Sequence, residues 1–164
     1  YNEAIRLANL TGAETVIDAY CGTGTIGLVA ARRGAARVIG VDSVPSAIRD
    51  AANNARHNGV ENAEFVTQDA TAFMKELEAS EERPQPLVLL MDPPRAGSAP
   101  EFLEAATSLA PERIVYISCN PATQARDVRQ LVESGYEVRA VRPVDMFPHT
   151  DHVESIVLLE KRND

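Results

Sequence analysis

The stretch ETVIDAYCGTGTIG, Glu14 to Gly27, sets the reading of the residues around it. Its first half, ETVIDAY, is a short run of β-branched and apolar residues, the composition of a strand covered on both faces. At Asp18 the run meets an acid. A turn holding Gly22 and Gly24 follows, and from Thr25 the pattern becomes helical. Strand, glycine turn and helix form the opening unit of an open α/β sheet, and glycines in the turn let a ligand approach the backbone closely. Gly22, Gly24 and Gly27 also satisfy G-x-G-x-x-G, so this turn alone leaves a dinucleotide, another nucleotide-like cofactor and a purely structural turn all open.

The same alternation continues along the chain. ARVIGVD, AEFVTQD, PLVLLMD and RIVYISC each read as a buried strand, and helical patterns separate them at Thr25 to Arg33, Pro45 to Asn58, Thr71 to Glu78, Glu101 to Leu109 and Thr123 to Ser134. Apolar strands divided by helices predict a parallel sheet covered on both faces. The end of the chain differs, because YEVRAVRPVDMF and VESIVLLEK follow one another with no helix between them. They predict an antiparallel pair at one edge. The expected architecture is therefore an α/β, Rossmann-like, mostly parallel seven-stranded sheet with helices on both faces. EASEERPQP, polar and proline-bearing, reads as a surface loop.

With 164 residues the length fits one domain. The 45% hydrophobic content supplies a core, and no apolar run approaches the ~20 residues of a membrane span. A net charge of −8, with lysine only at Lys75 and Lys161, argues against gripping nucleic acid by charge alone. Any such grip must be local or come from another part of a longer protein, and the absence of Met at Tyr1 suggests an excised domain. Cys21 and Cys119 form no paired metal-ligand spacing and no disulfide framework, so we expect no metal and a reducing, cytoplasmic setting.

Four predicted strands end in acid, at Asp18, Asp42, Asp69 and Asp92, and the fifth ends in Cys119. Ligands of open α/β sheets bind outside the carboxyl ends of the strands. Each Asp could instead cap the helix that follows it, but a row of them along one rim points to a site. Asp42, closing the second strand, suits a pair of ribose hydroxyls, because a carboxylate accepts several hydrogen bonds. Cys119 stands at the end of its strand, where a core thiol would stand within it. Asn120 and Pro121 fix the loop that follows, and a helix near Thr123 sets the thiol at the positive end of its dipole.

MDPPRAG, Met91 to Gly97, ends the fourth strand, and its prolines stiffen the backbone. Methyltransferases acting on planar base nitrogens carry a related motif with an aromatic residue after the prolines; here Arg95 stands there, which points away from that class. A guanidinium at this place can stack on a base or pair with phosphate. Taken together, DAYCGTGTIG, DPPRAG, YISCNPAT and DMFPHTDHVESI resemble the RNA uracil-5-methyltransferase family, and they span nearly the whole chain in the family's order. The resemblance looks nearest to the bacterial 23S ribosomal RNA branch, with transfer RNA as the alternative target.

The resemblance implies S-adenosyl-L-methionine as cofactor and RNA as partner, with no membrane. D-x-x-C-G-x-G looks like motif I of S-adenosylmethionine-dependent methyltransferases, so Gly22 and Gly24 would border the cofactor. Asp42 would meet its ribose and Asp69 its adenine amino group. Tyr20, Thr25 and Asp92 are expected nearby, Tyr20 by packing, Thr25 at the methionine end, and Asp92 at the methionine end or the uracil edge. Arg95, Asn120 and Pro121 would face the substrate. Cys119 would add to C6 of the uracil, and Glu154 would remove the C5 proton; His149 and His152 are rival bases expected to order their loop instead. Relatives of this kind also carry an N-terminal RNA-binding barrel, often an iron–sulfur site, and a glutamine-bearing cofactor segment, none of which this chain contains. The chain therefore reads as a single catalytic domain, residues 1–164. Competing readings are a cofactor-binding module inactive on RNA by itself, a methyltransferase for another base or small molecule, and an NAD enzyme.

Overall fold

A computed structural model describes residues 1–146, 149–150 and 153–163. The elements run α1 (Asn2–Ala8), β1 (Thr15–Ala19), α2 (Thr25–Arg32), β2 (Arg37–Asp42), α3 (Pro45–His57), β3 (Ala63–Thr67), α4 (Ala70–Ala79), β4 (Leu87–Met91), α5 (Pro100–Ser108), β5 (Arg113–Ser118), α6 (Pro121–Glu133), β6 (Tyr136–Val144) and β7 (Glu154–Lys161). They build one seven-stranded sheet in the order β3-β2-β1-β4-β5-β7-β6. β1 to β5 pair in parallel, whereas β7 lies antiparallel to both β5 and β6. The strand order reverses between β1 and β4, the place where such sheets open a crevice at their carboxyl ends.

Alternation along the strands divides the core in two. Ile17, Leu89, Met91 and Tyr116 face one side, with Met74 of α4, Phe102 of α5 and Leu131 of α6. Val16, Leu90, Val115, Ile117 and Ile156 face the other, with Ile5 of α1 and Ile26 of α2. β4 is buried along its whole length, as its unbroken apolar run predicts. β6 lies at the edge and leaves Val138 and Val141 exposed.

Helix starts follow local chemistry. Proline opens α3, α5 and α6, where its fixed φ suits the first turn and its missing N–H is no loss. For this reason α6 starts at Pro121 and α5 at Pro100, earlier than periodicity alone predicts. α4 starts at Ala70 because Asp69 accepts from the Ala72 amide and caps it. α1 has no counterpart in the sequence reading, since seven residues are too few for a periodic signal. It is held by the core through Ala4, Ile5, Leu7 and Ala8, and by Arg113, which donates to the Ala8 carbonyl at 2.7 Å and pairs with buried Glu14 at 3.2 Å.

Leu89 is fully buried in the middle of the central strand. Leu89→Ala is expected to lower unfolding free energy by about 2–5 kcal/mol, the usual effect of emptying a core leucine site. Val141→Ala on the exposed edge should stay within about 0.5 kcal/mol. Urea unfolding of both variants checks the contrast.

Candidate active site

The glycine turn leaves β1 and crosses the tip of β2. Gly22 and Gly24 both adopt left-handed backbone, with φ of +56° and +84°. They differ in what surrounds them. A Cβ on Gly24 would stand 2.9 Å from the Phe65 ring, whereas one on Gly22 would meet no protein atom within 4 Å. Gly22 therefore borders open space, and a ligand can lie against its backbone. Asp42 tethers the turn, accepting from the Gly22 amide and the Val44 amide, both at 2.9 Å. One oxygen serves each bond, and the second lone pair of each stays available for a hydroxyl donor. Asp69 is exposed and, beyond its capping bond, free to extend toward the same rim. Thr25 is exposed at the first position of α2.

Asp18 lies beneath this turn, almost wholly buried, and accepts from the Gly27 amide at 2.9 Å. A Cβ on Gly27 would come within 2.8 Å of that carboxylate, so glycine is needed there for close packing. Burial pushes the Asp18 carboxyl up to about 7; the charges of Asp92 and Asp42 add to this, and the Gly27 bond opposes it. Cys21 is half-buried and its thiol is pushed up, first by burial and then by Asp18 and Asp42.

The second group of residues stands at the tips of β4, β5 and β7. Val88 and Leu90 share a face with Ile117 and Ile156, so strand alternation sends Asp18, Asp92 and Glu154 to that face too. Ser118 pairs with Ser155 at the last step of the β5–β7 register. Extending that register by one residue sets Cys119 opposite Glu154. Asp92 and Glu154 line a cavity of 260 Å³ together with Tyr1, Glu3, Ile117 and Ile156. Cys119 is half-buried at the rim and is not among the residues lining the cavity. Burial pushes Asp92 up to about 6, and the Glu154 charge adds to the shift. Tyr1 is also raised, by partial burial and by the fields of Asp92, Glu154 and Asp18.

The loop after Asp92 is fastened to α6. Arg95 is exposed, and its carbonyl accepts from Asn120 Nδ2 at 3.2 Å and from the Thr123 hydroxyl at 2.8 Å. The amide oxygen of Asn120 also accepts from the Ala122 amide, which caps α6. Asn120 thus engages backbone at both ends of its amide, and Pro121 forms the first turn behind it. Buried Asp127 accepts from the Ser98 amide at 2.8 Å and from the Tyr116 hydroxyl at 2.7 Å. Tyr20 packs its ring on Phe102, with centroids 5.3 Å apart, and donates to the Ser98 hydroxyl. It forms a strut between the β1 turn and this loop. His149 is exposed, and His152 lies outside the described residues.

Sequence reasoning missed Tyr1, Glu3, Ser98, Tyr116, Gln124 and Asp127. Each is ordinary in composition, and only packing brings it to the rim or to the layer beneath it. Among the described residues no cluster of His, Cys, Asp and Glu could hold a metal ion, and no helix is long and apolar enough to cross a membrane.

A doubly covered sheet with a glycine turn at its first strand tip and a row of carboxylates on its carboxyl rim defines an α/β protein of the nucleotide-cofactor type. A model of the tRNA (Uracil-5-)-methyltransferase family matches residues 4–162, and the chain belongs to that family. It is 50% identical over 163 residues to a protein of Halalkalibacterium halodurans described as an uncharacterized RNA methyltransferase, covering 99% of this chain and 35% of that protein. A Bacteroides thetaiotaomicron protein with the same description is 49% identical over 162 residues, covering 99% of this chain and 35% of the relative. The chain therefore spans about a third of the length of these relatives. Among solved structures, Pyrococcus abyssi tRNA (uracil-54, C5)-methyltransferase in complex with S-adenosyl-L-homocysteine superposes with a TM-score of 0.80 at 37% identity, over 96% of this chain and 37% of that one. NSun6 from Pyrococcus horikoshii, at 18% identity and a TM-score of 0.78, covers 98% of this chain and 51% of its own; it shares the fold.

The raised Asp18 carboxyl makes stability depend on pH. Its folded value lies above the ordinary 3.8, so its contribution is complete below that pH and is lost as pH rises toward about 7. Asp18→Asn keeps an oxygen for the Gly27 amide and removes the buried charge. The variant is expected to melt above the parent at pH 8, by about 2–4 °C for each kcal/mol recovered, with the gap closing toward pH 4. Thermal denaturation across that range checks it.

Proposed function

We propose that this chain is the catalytic domain of an enzyme that transfers a methyl group from S-adenosyl-L-methionine to C5 of a uridine in RNA. The observation that supports the reading is the β5–β7 register, whose last pair, Ser118 with Ser155, makes Cys119 and Glu154 the next residues in line, on the face that also bears Asp92. Family membership and the solved relative's bound S-adenosyl-L-homocysteine support the cofactor. The residues fit it: Gly22 borders open space, Asp42 keeps lone pairs for two ribose hydroxyls, and Asp69 and Asp92 stand on the same rim for the adenine and methionine ends. When bound, the cofactor supplies an electrophilic methyl group on sulfonium.

The chain's own residues supply the rest. The Cys119 thiolate adds to C6 of the uracil, forming an S–C6 bond and pushing the electron pair of the C5–C6 double bond toward C5 and O4. C5 would then take the methyl group as the methyl–sulfonium bond breaks, with S-adenosyl-L-homocysteine as the leaving group. Glu154 removes the C5 proton, the double bond reforms, and the S–C6 bond breaks to return the thiolate. Covalent catalysis of this kind replaces one difficult step by easier ones. Arg95, exposed on the loop that is bonded to the start of α6, would contact phosphate or base. A target uridine in a duplex would have to leave its stack to reach this rim.

Ribosomal RNA is the proposed target, from the motif resemblance, and transfer RNA is the reading that the Pyrococcus abyssi relative favours. A reducing, cytoplasmic setting is the reading that the two free cysteines support. The acidic charge of −8 implies that much of the RNA grip comes from the remainder of a protein about three times as long, judged by its relatives.

In the intact protein, RNA containing 5-fluorouridine is expected to form a covalent complex stable in denaturant. Cys119→Ala abolishes it. With ordinary RNA, Glu154→Gln should still form the methylated adduct but release it about 10²–10⁴-fold more slowly, the usual worth of a general base. Denaturing gels and quenched time courses read both. No adduct with the parent protein would overturn the covalent reading, and mapping 5-methyluridine in RNA from cells lacking the protein identifies the target.

A further inference from the structure

Gln124 lies in the second turn of α6, 3% exposed, in a position that a leucine or methionine would fill equally well by volume. Its amide nitrogen carries two protons, and each is donated to a different strand. One goes to the Tyr116 carbonyl on β5 at 3.0 Å and the other to the Ser155 carbonyl on β7 at 3.1 Å. Ser155 is the neighbour of Glu154, and Tyr116 lies three residues before Cys119. One –NH₂ group therefore bridges the strand that ends at the proposed nucleophile and the strand that begins at the proposed base.

The two ends of this bridge are anchored unequally. Cys119 is held from several directions. β5 is flanked by β4 and β7, the Ser118 hydroxyl bonds to the Asn120 amide at 2.9 Å, and Asn120 caps α6. Glu154 is the first residue of β7, and the β5 register ends at its neighbour Ser155. Its remaining ladder partner is Val144, the last residue of edge strand β6. Among the described residues the Gln124 bond thus ties the helix layer to the start of β7. Losing it would let Glu154 move relative to Cys119 while Cys119 stays in place.

We infer that Gln124 is a positioning residue that fixes the separation between the Cys119 strand and the Glu154 strand and so sets the rate of proton removal from the adduct. The inference rests on the functional reading above. It assigns Gln124 no contact with substrate, and it makes a kinetic claim that a role in stability alone would not make.

The test uses the intact protein with ordinary uridine RNA under single-turnover conditions, quenched into denaturant so that the protein–RNA adduct is counted over time. Gln124→Met keeps the volume and removes both donors; Gln124→Asn keeps the amide but is too short to span both carbonyls. Either variant that folds suffices, and binding of S-adenosyl-L-homocysteine at the parent's affinity reports folding. Adduct formation is expected near the parent rate, with its resolution slowed between about 10- and 100-fold, the effect of a displacement of roughly 1 Å at a reacting group. Formation and resolution slowed by one common factor, or neither slowed, overturns the inference. So does a failure of both variants to fold, because Gln124 then serves stability first. If the parent itself forms no adduct, the functional reading fails instead, and the two failures are told apart by that control.

Discussion

The arrangement of this molecule depends on β7 running antiparallel between β5 and β6. In a purely parallel sheet every strand presents its carboxyl end at the same rim, so a residue at a strand start could not reach the site. Reversing one strand brings an amino end to that rim. The pairing of Ser118 with Ser155 then sets a strand's last residues beside another strand's first ones. A cysteine that follows one strand and a glutamate that opens the other become neighbours, although 35 positions apart in sequence. The period-2 alternation of strands adds the second condition, because it sends Asp18, Asp92 and Glu154 to one face.

That convergence costs stability. Asp18, Asp92 and Glu154 bring like charges into a partly desolvated region, which raises the carboxyls of Asp18 and Asp92. Burial is the larger cause in both cases and mutual repulsion the smaller. A fold selected only for stability would replace Asp18 with a neutral residue able to accept the Gly27 amide. Keeping a carboxylate there agrees with the cofactor reading proposed above, whose sulfonium such a field would attract.

α6 is the element that organises the remainder. Its first two turns hold the 92–99 loop through Asn120, Thr123 and Asp127, and they reach β5 and β7 through Gln124. These bonds join segments that carry Arg95, Cys119 and Glu154 into one hydrogen-bonded unit. Tyr20 extends the unit to the glycine turn through Ser98. Buried polar side chains of this kind keep their places because each has partners; a buried amide or carboxylate left without them would be costly.

Much of this was legible in the sequence, for a physical reason. Apolar runs of five or six residues such as LVLLM fix strands, because burial on both faces requires nearly continuous hydrophobicity. Gly22 and Gly24 announce a left-handed turn that other residues rarely adopt. Asp18, Asp42, Asp69, Asp92 and Cys119 were visible as strand endings, and DPPRAG and SCNP pointed to the family to which the chain belongs. Tertiary structure alone decided the rest. Short α1 has too few residues to show a period, so only its packing reveals it. The packing of Tyr20 on Phe102 and its bond to Ser98 appear only in the folded chain. Gln124 and Asp127 carry no signal at all, because hydrogen bonds between elements depend on how helices and strands are stacked. Local sequence chooses the elements, and only their packing chooses which polar groups meet.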